Sequence, residues 1–511
     1  MNRYHRKSIA PQAQVVAKRR QRFAPHGWRS PAASAGHRLS LAMRRWSRAA
    51  KHAVRRASEG PRQYLGPMKE LLHLAWPITV AMLGESAIGL VDTKLVGGLG
   101  ASALAGVGMA TVLFYLFFAM AGGTLRGVKV RTAYLVGQGR TADAPTHALA
   151  GIAIGVVMGA ALFLLGRDVS PVLRVLGVHE DTLPYARDFM SARTTGAVFG
   201  CTLAALNQYR QGLGDTRTPM MVGIGGNLVN AVLAYSLIYG HLGLPALGVK
   251  GAGYGTAITE GLQMSVMLAL VLRDVRRAKA TGAPRSSVSL RQALREVLGL
   301  GVPTGLHFGF EMAAFTTFTA VLASLGAAEI AAHHVALNTI RASFLPGVAV
   351  AEATSILVAR SLGANNLRGA DRSTSAALAL GVSFMTFCGV LFALFGRDIA
   401  RAFSPDLAVV TIAGRLLLVA AVFQTLDAAN MILRGALRGA KDVRWVAIIG
   451  TSVAWSCIPG SALLFGRLGG LGALGGWFGF VLETTIASAL LFRRWKKGPW
   501  RSAFTSRLAT A

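Results

Sequence analysis

The sequence predicts an all-α polytopic membrane protein, with twelve transmembrane helices in two parallel-repeat six-helix bundles. Three observations predict it. Of 511 residues, 53% are hydrophobic and only 15% charged, and mean hydropathy is +0.47; an ordinary soluble domain carries about 25% charged residues. Apolar runs of about 20 residues, enough to cross a hydrocarbon core of about 30 Å, recur along the chain. The second half repeats features of the first at a nearly constant offset.

The runs lie near 71–97, 101–125, 147–166, 188–210, 219–240, 251–272, 297–325, 331–359, 373–395, 409–434, 443–465 and 469–492. Within lipid every backbone polar group must be satisfied inside the segment, so each run reads as a helix. The short alternating strands of a membrane β-barrel are absent from the pattern. An even number of spans puts both termini on one face. The loop at 273–296 carries seven basic residues and the C-terminal tail six more (Arg493, Arg494, Lys496, Lys497, Arg501 and Arg507). Basic loops stay inside, which places both termini in the cytoplasm and the protein in an inner or plasma membrane.

The formal net charge is +32. In a soluble chain that excess would suggest nucleic acid as a partner. Here apolar spans separate the basic clusters, so anionic lipid at the basic loops is the expected partner and nucleic acid is not. Cys201, Cys388 and Cys457 all fall inside apolar runs, which argues against a disulfide framework or a metal site. No Walker sequence, Ser-His-Asp arrangement or metal cluster with catalytic spacing is present, so the expectation is no enzyme, no cofactor and no ATP coupling.

The division expected along the chain is a basic N-terminal arm over 1–67, a first lobe over 68–272, a basic cytoplasmic linker over 273–296, a second lobe over 297–495, and a cytoplasmic tail over 496–511. The first 58 residues hold 15 Lys and Arg and no acid. They read first as a flexible cytoplasmic arm. The alternatives are an over-extended start, with the true start at Met43 or Met68, and an organellar transit peptide.

The repeat is explicit. Pro77, Glu85 and Leu99-Gly100 correspond to Pro303, Glu311 and Leu325-Gly326 at an offset of 226. Gly212, Asp215 and Arg217 correspond to Gly439, Asp442 and Arg444 at 227. Six spans per unit keep both units in one orientation. Two such lobes around a cavity suit alternating access, in which one rocks against the other.

Acidic residues inside spans are costly and usually face a cavity or a partner. Glu85, Gly89 and Asp92 fall on one stripe of the first span, with the two carboxylates about 10 Å apart along the axis. Glu311 lies in span seven and Asp427 in span ten, within Gln424-Thr425-Leu426-Asp427. These carboxylates are candidates to bind a proton or sodium; the alternative is a structural hydrogen bond or ion pair. Glu260, Glu352 and Glu483 are weaker candidates, near helix ends and water. Pro77 and Pro303 each remove a backbone hydrogen bond and are candidate hinges. Arg193 and Arg341 read as interfacial or paired. His333-His334 is an improbable metal pair, since adjacent helical side chains diverge. Phe114, Tyr115, Phe117 and Phe118 read as lipid-facing rather than cavity-lining.

At these residues the sequence resembles the multidrug and toxic compound extrusion (MATE) family. The matching passages are Ala75-Trp76-Pro77, Leu90-Val91-Asp92-Thr93 with Val96-Gly97-Gly98-Leu99-Gly100, and Gln211-Gly212-Leu213-Gly214-Asp215-Thr216-Arg217-Thr218-Pro219. Gly226-Asn227-Leu228-Val229-Asn230, Leu247-Gly248-Val249-Lys250-Gly251-Ala252, Leu325-Gly326-Ala327 and Arg438-Gly439-Ala440-Lys441-Asp442 continue it over roughly 68–495. The resemblance implies a monomeric secondary antiporter, exchanging Na+ or H+ for a small organic, often cationic, solute. It implies coupling through Asp92 and, in the NorM-like branch, Glu311 and Asp427. It also implies Asn230 as a support; Gln424, three residues before Asp427, is itself a candidate cavity or supporting residue.

Ala234 replaces the aspartate of the DinF-like branch, which favours the NorM-like arrangement. Glu85 stands where glutamine is common, and a second carboxylate beside Asp92 couples the two titrations. Arg126, Lys129 and Arg131 crowd the cytoplasmic end of span two; lipid headgroups are the favoured contact, an anionic solute the other. The rival readings are a lipid or lipid-linked glycan flippase of the same superfamily and a non-transporting membrane protein.

Overall fold

The computed structural model describes residues 62–175, 179–280, 282 and 286–509. The basic arm before residue 62, with the alternative start Met43, lies outside them, as does Arg285 of the linker; Met68 lies within the first helix. The first half runs α1 (Arg62–Gly97), α2 (Ala101–Gly137), α3 (Ala144–Leu165), a short α4 (Ser170–Val175), α5 (Leu183–Thr194), α6 (Ala197–Leu213), α7 (Arg217–Tyr239) and α8 (Val249–Ala280). The second runs α9 (Leu290–Ala323), α10 (Ala327–Gly363), α11 (Leu367–Phe403), α12 (Leu407–Gly439), α13 (Val443–Ser461, continued by a π-helical turn over Ala462–Leu468) and α14 (Gly472–Lys497). A last helix, α15, covers Pro499–Ala509.

Among the described residues, eleven helices are long and apolar enough to cross a membrane. The remaining span, expected as one run near 188–210, is broken into α5 and α6 at Thr195-Gly196. The Thr195 hydroxyl donates back to the Ala192 carbonyl at 2.6 Å. A Cβ on Gly196 would meet Ala257 Cα at 2.6 Å, so the break lets α8 approach closely. Several helices overrun their expected lengths. At 1.5 Å per residue, the 37 residues of α2, α10 and α11 each reach about 55 Å, well beyond the bilayer core. The linker shortens accordingly, because α8 continues to Ala280 and α9 begins at Leu290.

Lipid offers apolar side chains no less than a protein core does, so helices associate through close backbone approach and polar contacts. Gly123 and Gly127 of α2 meet Gly305, Gly301 and Val297 of α9 so tightly that no Cβ would fit. At the helix ends nearest the termini, Gly137 packs on the Arg360 carbonyl and Gly363 on the Tyr134 carbonyl. Both pairs of positions, 137 with 363 and 134 with 360, are 226 apart. The contact is therefore reciprocal about an axis running between α2 and α10, roughly along the helices. That is the geometry of a parallel repeat.

Each half also has its own packed interior. In the first half Leu125, Val128, Leu206 and Met267 are fully buried. In the second, Phe318, Trp477 and Phe480 pack together, and the Trp477 indole donates to His333 at 3.2 Å. His333 thus belongs to the interior.

Candidate functional site: a charged cavity in the first half

A cavity of about 670 Å³ is enclosed mainly by helices of the first half. Val96 and Leu104, beside the α1–α2 turn, lie at one end of its lining. Arg126 of α2, Phe308 of α9 and, at the α6–α7 turn, Gln211 and Thr216 lie toward the other, which forms its floor on the side of the chain termini. Phe114, Tyr115 and Phe118 line it as well, correcting their expected lipid exposure; Phe117 is exposed outside the lining.

α1 presents Glu85 and Asp92 to this space. Asp92 is half-buried, and the Asn230 side chain from α7 donates to its two oxygens at 3.1 and 3.2 Å. Asn230 is itself buried. Glu85, two turns lower, lies open to the cavity. Neither carboxylate has an ion-pair partner within 4 Å among the described residues. Across the cavity Glu260 is clasped by both terminal nitrogens of Arg193, at 3.0 and 2.6 Å. The guanidinium lies 4.1 Å over the Phe114 ring. Such a two-toothed pair is the strong form of the interaction and leaves Glu260 neutralised where it stands.

The second half arranges its acids differently. Arg434 of α12 donates to Glu311 at 2.6 Å, to Glu483 of α14 at 2.7 Å and to Asn430 at 3.0 Å. His307 lies 3.6 Å from Glu311. Glu311 is thus tied to a resident cation, in contrast with its repeat mate Glu85. Asp427, two turns before Arg434, is half-buried and has no ion pair among the described residues. Gln424, expected beside a cavity, is fully buried instead and donates to Ser343 of α10.

Two other expectations are corrected. Glu352 and Glu483 do not sit near water; both are buried within charge clusters. Arg126 and Lys129 do not reach for lipid headgroups. Arg126 pairs with Glu352 at 3.1 Å, Lys129 is buried against the same carboxylate, and Arg438 stands 3.8 Å from it. Arg131 pairs with Glu296 of α9 at 2.6 Å, and His147 holds the same oxygen at 2.8 Å. Arg434 went unremarked in the sequence, and Arg438 entered only as part of the Arg438–Asp442 passage, because both stand where an apolar run ends. Their four-residue spacing, which puts both on one face of α12, was the available signal.

Pro77 and Pro303 both lie inside continuous helices. The carbonyls of His73 and Gly299 lose their usual helical donors there.

The family model described as MatE matches residues 77–236 and again 303–462. The two matches are 226 residues apart, the same offset as the repeat. The multidrug resistance protein MdtK of Yersinia pseudotuberculosis serotype O:1b (strain IP 31758) is 28% identical over 442 residues, covering 84% of this chain and 96% of that protein. The multidrug resistance protein NorM of Aliivibrio fischeri (strain ATCC 700601 / ES114) is 27% identical over 438 residues, covering 84% and 94%. Among solved structures, the bent form of the Vibrio cholerae MATE transporter VcmN superposes with a TM-score of 0.75 at 19% identity, covering 86% of this chain and 98% of that one.

Proposed function

Because the chain belongs to the MatE family of membrane transport proteins, we propose that it exports small organic solutes in exchange for entering Na+ or H+ by alternating access. Its relatives named as multidrug resistance proteins support drug-like solutes as the class. The basic linker and tail support cytoplasmic termini. With that orientation the cavity mouth faces outward and the contacts of Arg126, Glu352, Gly137 and Gly363 close the cytoplasmic side. The two lobes, 68–272 and 297–495, then rock about the α2–α10 axis as a monomer, with the basic linker against anionic lipid.

The observation that carries this reading is Asp92. Its carboxylate sits on a cavity wall, held by a neutral amide and, among the described residues, by no cation. An incoming proton or sodium ion finds an unneutralised site there, with Glu85 two turns deeper. Binding shifts the lobes only through a difference in affinity between the two states. Glu311 offers less, because a coupling ion must first displace Arg434.

The test is efflux of the organic cation ethidium from proteoliposomes under imposed sodium or proton gradients. Flux that follows one gradient and is lost in Asp92→Asn supports antiport and names the ion. Gradient-driven flux that persists in Asp92→Asn removes Asp92 from the coupling.

A further inference from the structure

We propose that the cavity floor binds the anionic group of a transported solute: a carboxylate, sulfonate or phosphate carried on an aromatic or aliphatic body. The proposal deepens the transport reading by naming a substrate class, and it rests on the charge inventory of the floor. Three cations, Arg126, Lys129 and Arg438, converge on one carboxylate, Glu352. Lys129 is 1% exposed and Arg438 9%. Two buried positive charges and a half-buried one, around a single negative charge, repel each other strongly in a medium of low polarity.

The neighbouring acids do not join this group. One turn away on α12, Arg434 holds Glu311 and Glu483. Asp427 lies two turns beyond that, and His307 stands between the clusters. Glu296 is engaged by Arg131 and His147.

Two further observations point to a ligand. The Arg438 Nε is buried and has no hydrogen-bond partner among the described residues, although Arg438 itself is not part of the cavity lining. An unmet buried donor on a charged group is costly unless something fills it. The second is Phe308. Arg126 lies 4.0 Å and Arg438 4.9 Å from its ring centroid, and both Arg126 and Phe308 line the cavity. The floor thus offers a guanidinium for an acid group beside an aromatic face for the body that carries it. The solute enters this end of the cavity acid-first, below the wall that carries Glu85 and Asp92.

The test is equilibrium binding of fluorescein, an aromatic carboxylate, to full-length protein in phosphatidylcholine nanodiscs, with ethidium as the cationic control. No gradient is applied, so the outcome is independent of coupling. Arg126→Gln should weaken fluorescein binding about 10-fold or more, the loss of one charge-assisted hydrogen bond, with no matching loss of ethidium binding. Glu352→Gln should tighten fluorescein binding, since it removes the competing carboxylate.

The opposite signs matter. If the cluster only latched the two halves together, both substitutions would open the floor and move fluorescein binding in the same direction; that result overturns the proposal. Should Glu352→Gln not fold, Arg126→Gln still decides: unchanged fluorescein binding, or equal loss of both dyes, rejects the site. Displacement of fluorescein by added phosphatidylglycerol would make the occupant a lipid headgroup and reject a solute. Failure of both ethidium and fluorescein efflux under every gradient would instead reject the transport reading and leave the binding result standing.

Discussion

Arg126 and Glu352 occupy the same place in the two halves of the chain, 226 residues apart, and they pair with each other at 3.1 Å. A duplicated gene gives both halves one helix at the axis of the repeat. Opposite charge at that mated position turns a self-contact into an ion pair. Three further contacts of the axis helices use the same face: Lys129 with Glu352, Gly137 with Arg360, and Gly363 with Tyr134. The floor of the cavity is therefore built from the repeat itself.

Asn230 holds Asp92 without neutralising it. Asn230→Ala removes two donors from a carboxylate that faces the cavity. A hydrogen bond to a charged group contributes about 1.5–3 kcal/mol. The concentration of coupling ion that gives half-maximal efflux should move by about 10-fold or more, with the maximal rate retained. An unchanged half-maximal concentration would separate Asn230 from ion binding.

The Gly137–Gly363 contact holds the terminus-side ends of α2 and α10 together. Gly137→Leu cannot fit against the Arg360 carbonyl. Overpacking of this kind costs about 1–3 kcal/mol, enough to repopulate a two-state equilibrium. Spin labels at the exposed positions Gln138 and Ala364 should report one short distance in the wild type. The variant should add a population at longer distance. A single unchanged distance would show that this contact does not set the closed state.

Arg434 carries a different expectation. Arg434→Gln strands Glu311 and Glu483 in a buried site without their cation. Breaking a buried pair by removing one partner costs about 3–5 kcal/mol. The thermal midpoint of the purified protein should fall well below that of the wild type. Adding Glu483→Gln should recover part of the loss. If Arg434→Gln unfolds like the wild type, the carboxylates take their stability from another source.

Asp92→Asn provides the contrast. Asp92 is half-buried beside the cavity and touches no cation, so the neutral isostere removes a charge without orphaning one. Its thermal midpoint should match the wild type while gradient-driven efflux falls by at least about 10-fold. A large drop in the midpoint would mean that Asp92 is structural.

The twelve spans, the repeat and the stripe of Glu85 and Asp92 on α1 were legible in the sequence. Each depends on information carried within a segment. A span needs only length and apolarity; a repeat needs only an offset; a helical stripe needs only a period near 3.6. Asn230 entered through a motif, and the structure sets it against Asp92.

What only the tertiary structure decided was which charges meet. Glu311 and Glu85 are mates by position, yet one is held by Arg434 from α12 and the other faces open space. Arg193 clasps Glu260 across 67 residues, and Arg126, Lys129 and Arg438 gather on Glu352 from two helices. Inside a bilayer an ion pair forms wherever helix packing brings opposite charges within reach. Packing depends on small residues on the faces of distant helices, and one-dimensional pattern holds no record of which faces meet. The sequence by itself determined how many helices cross the membrane and how they repeat; the packing decided which carboxylates are neutralised and which, among the described residues, are left without a cation.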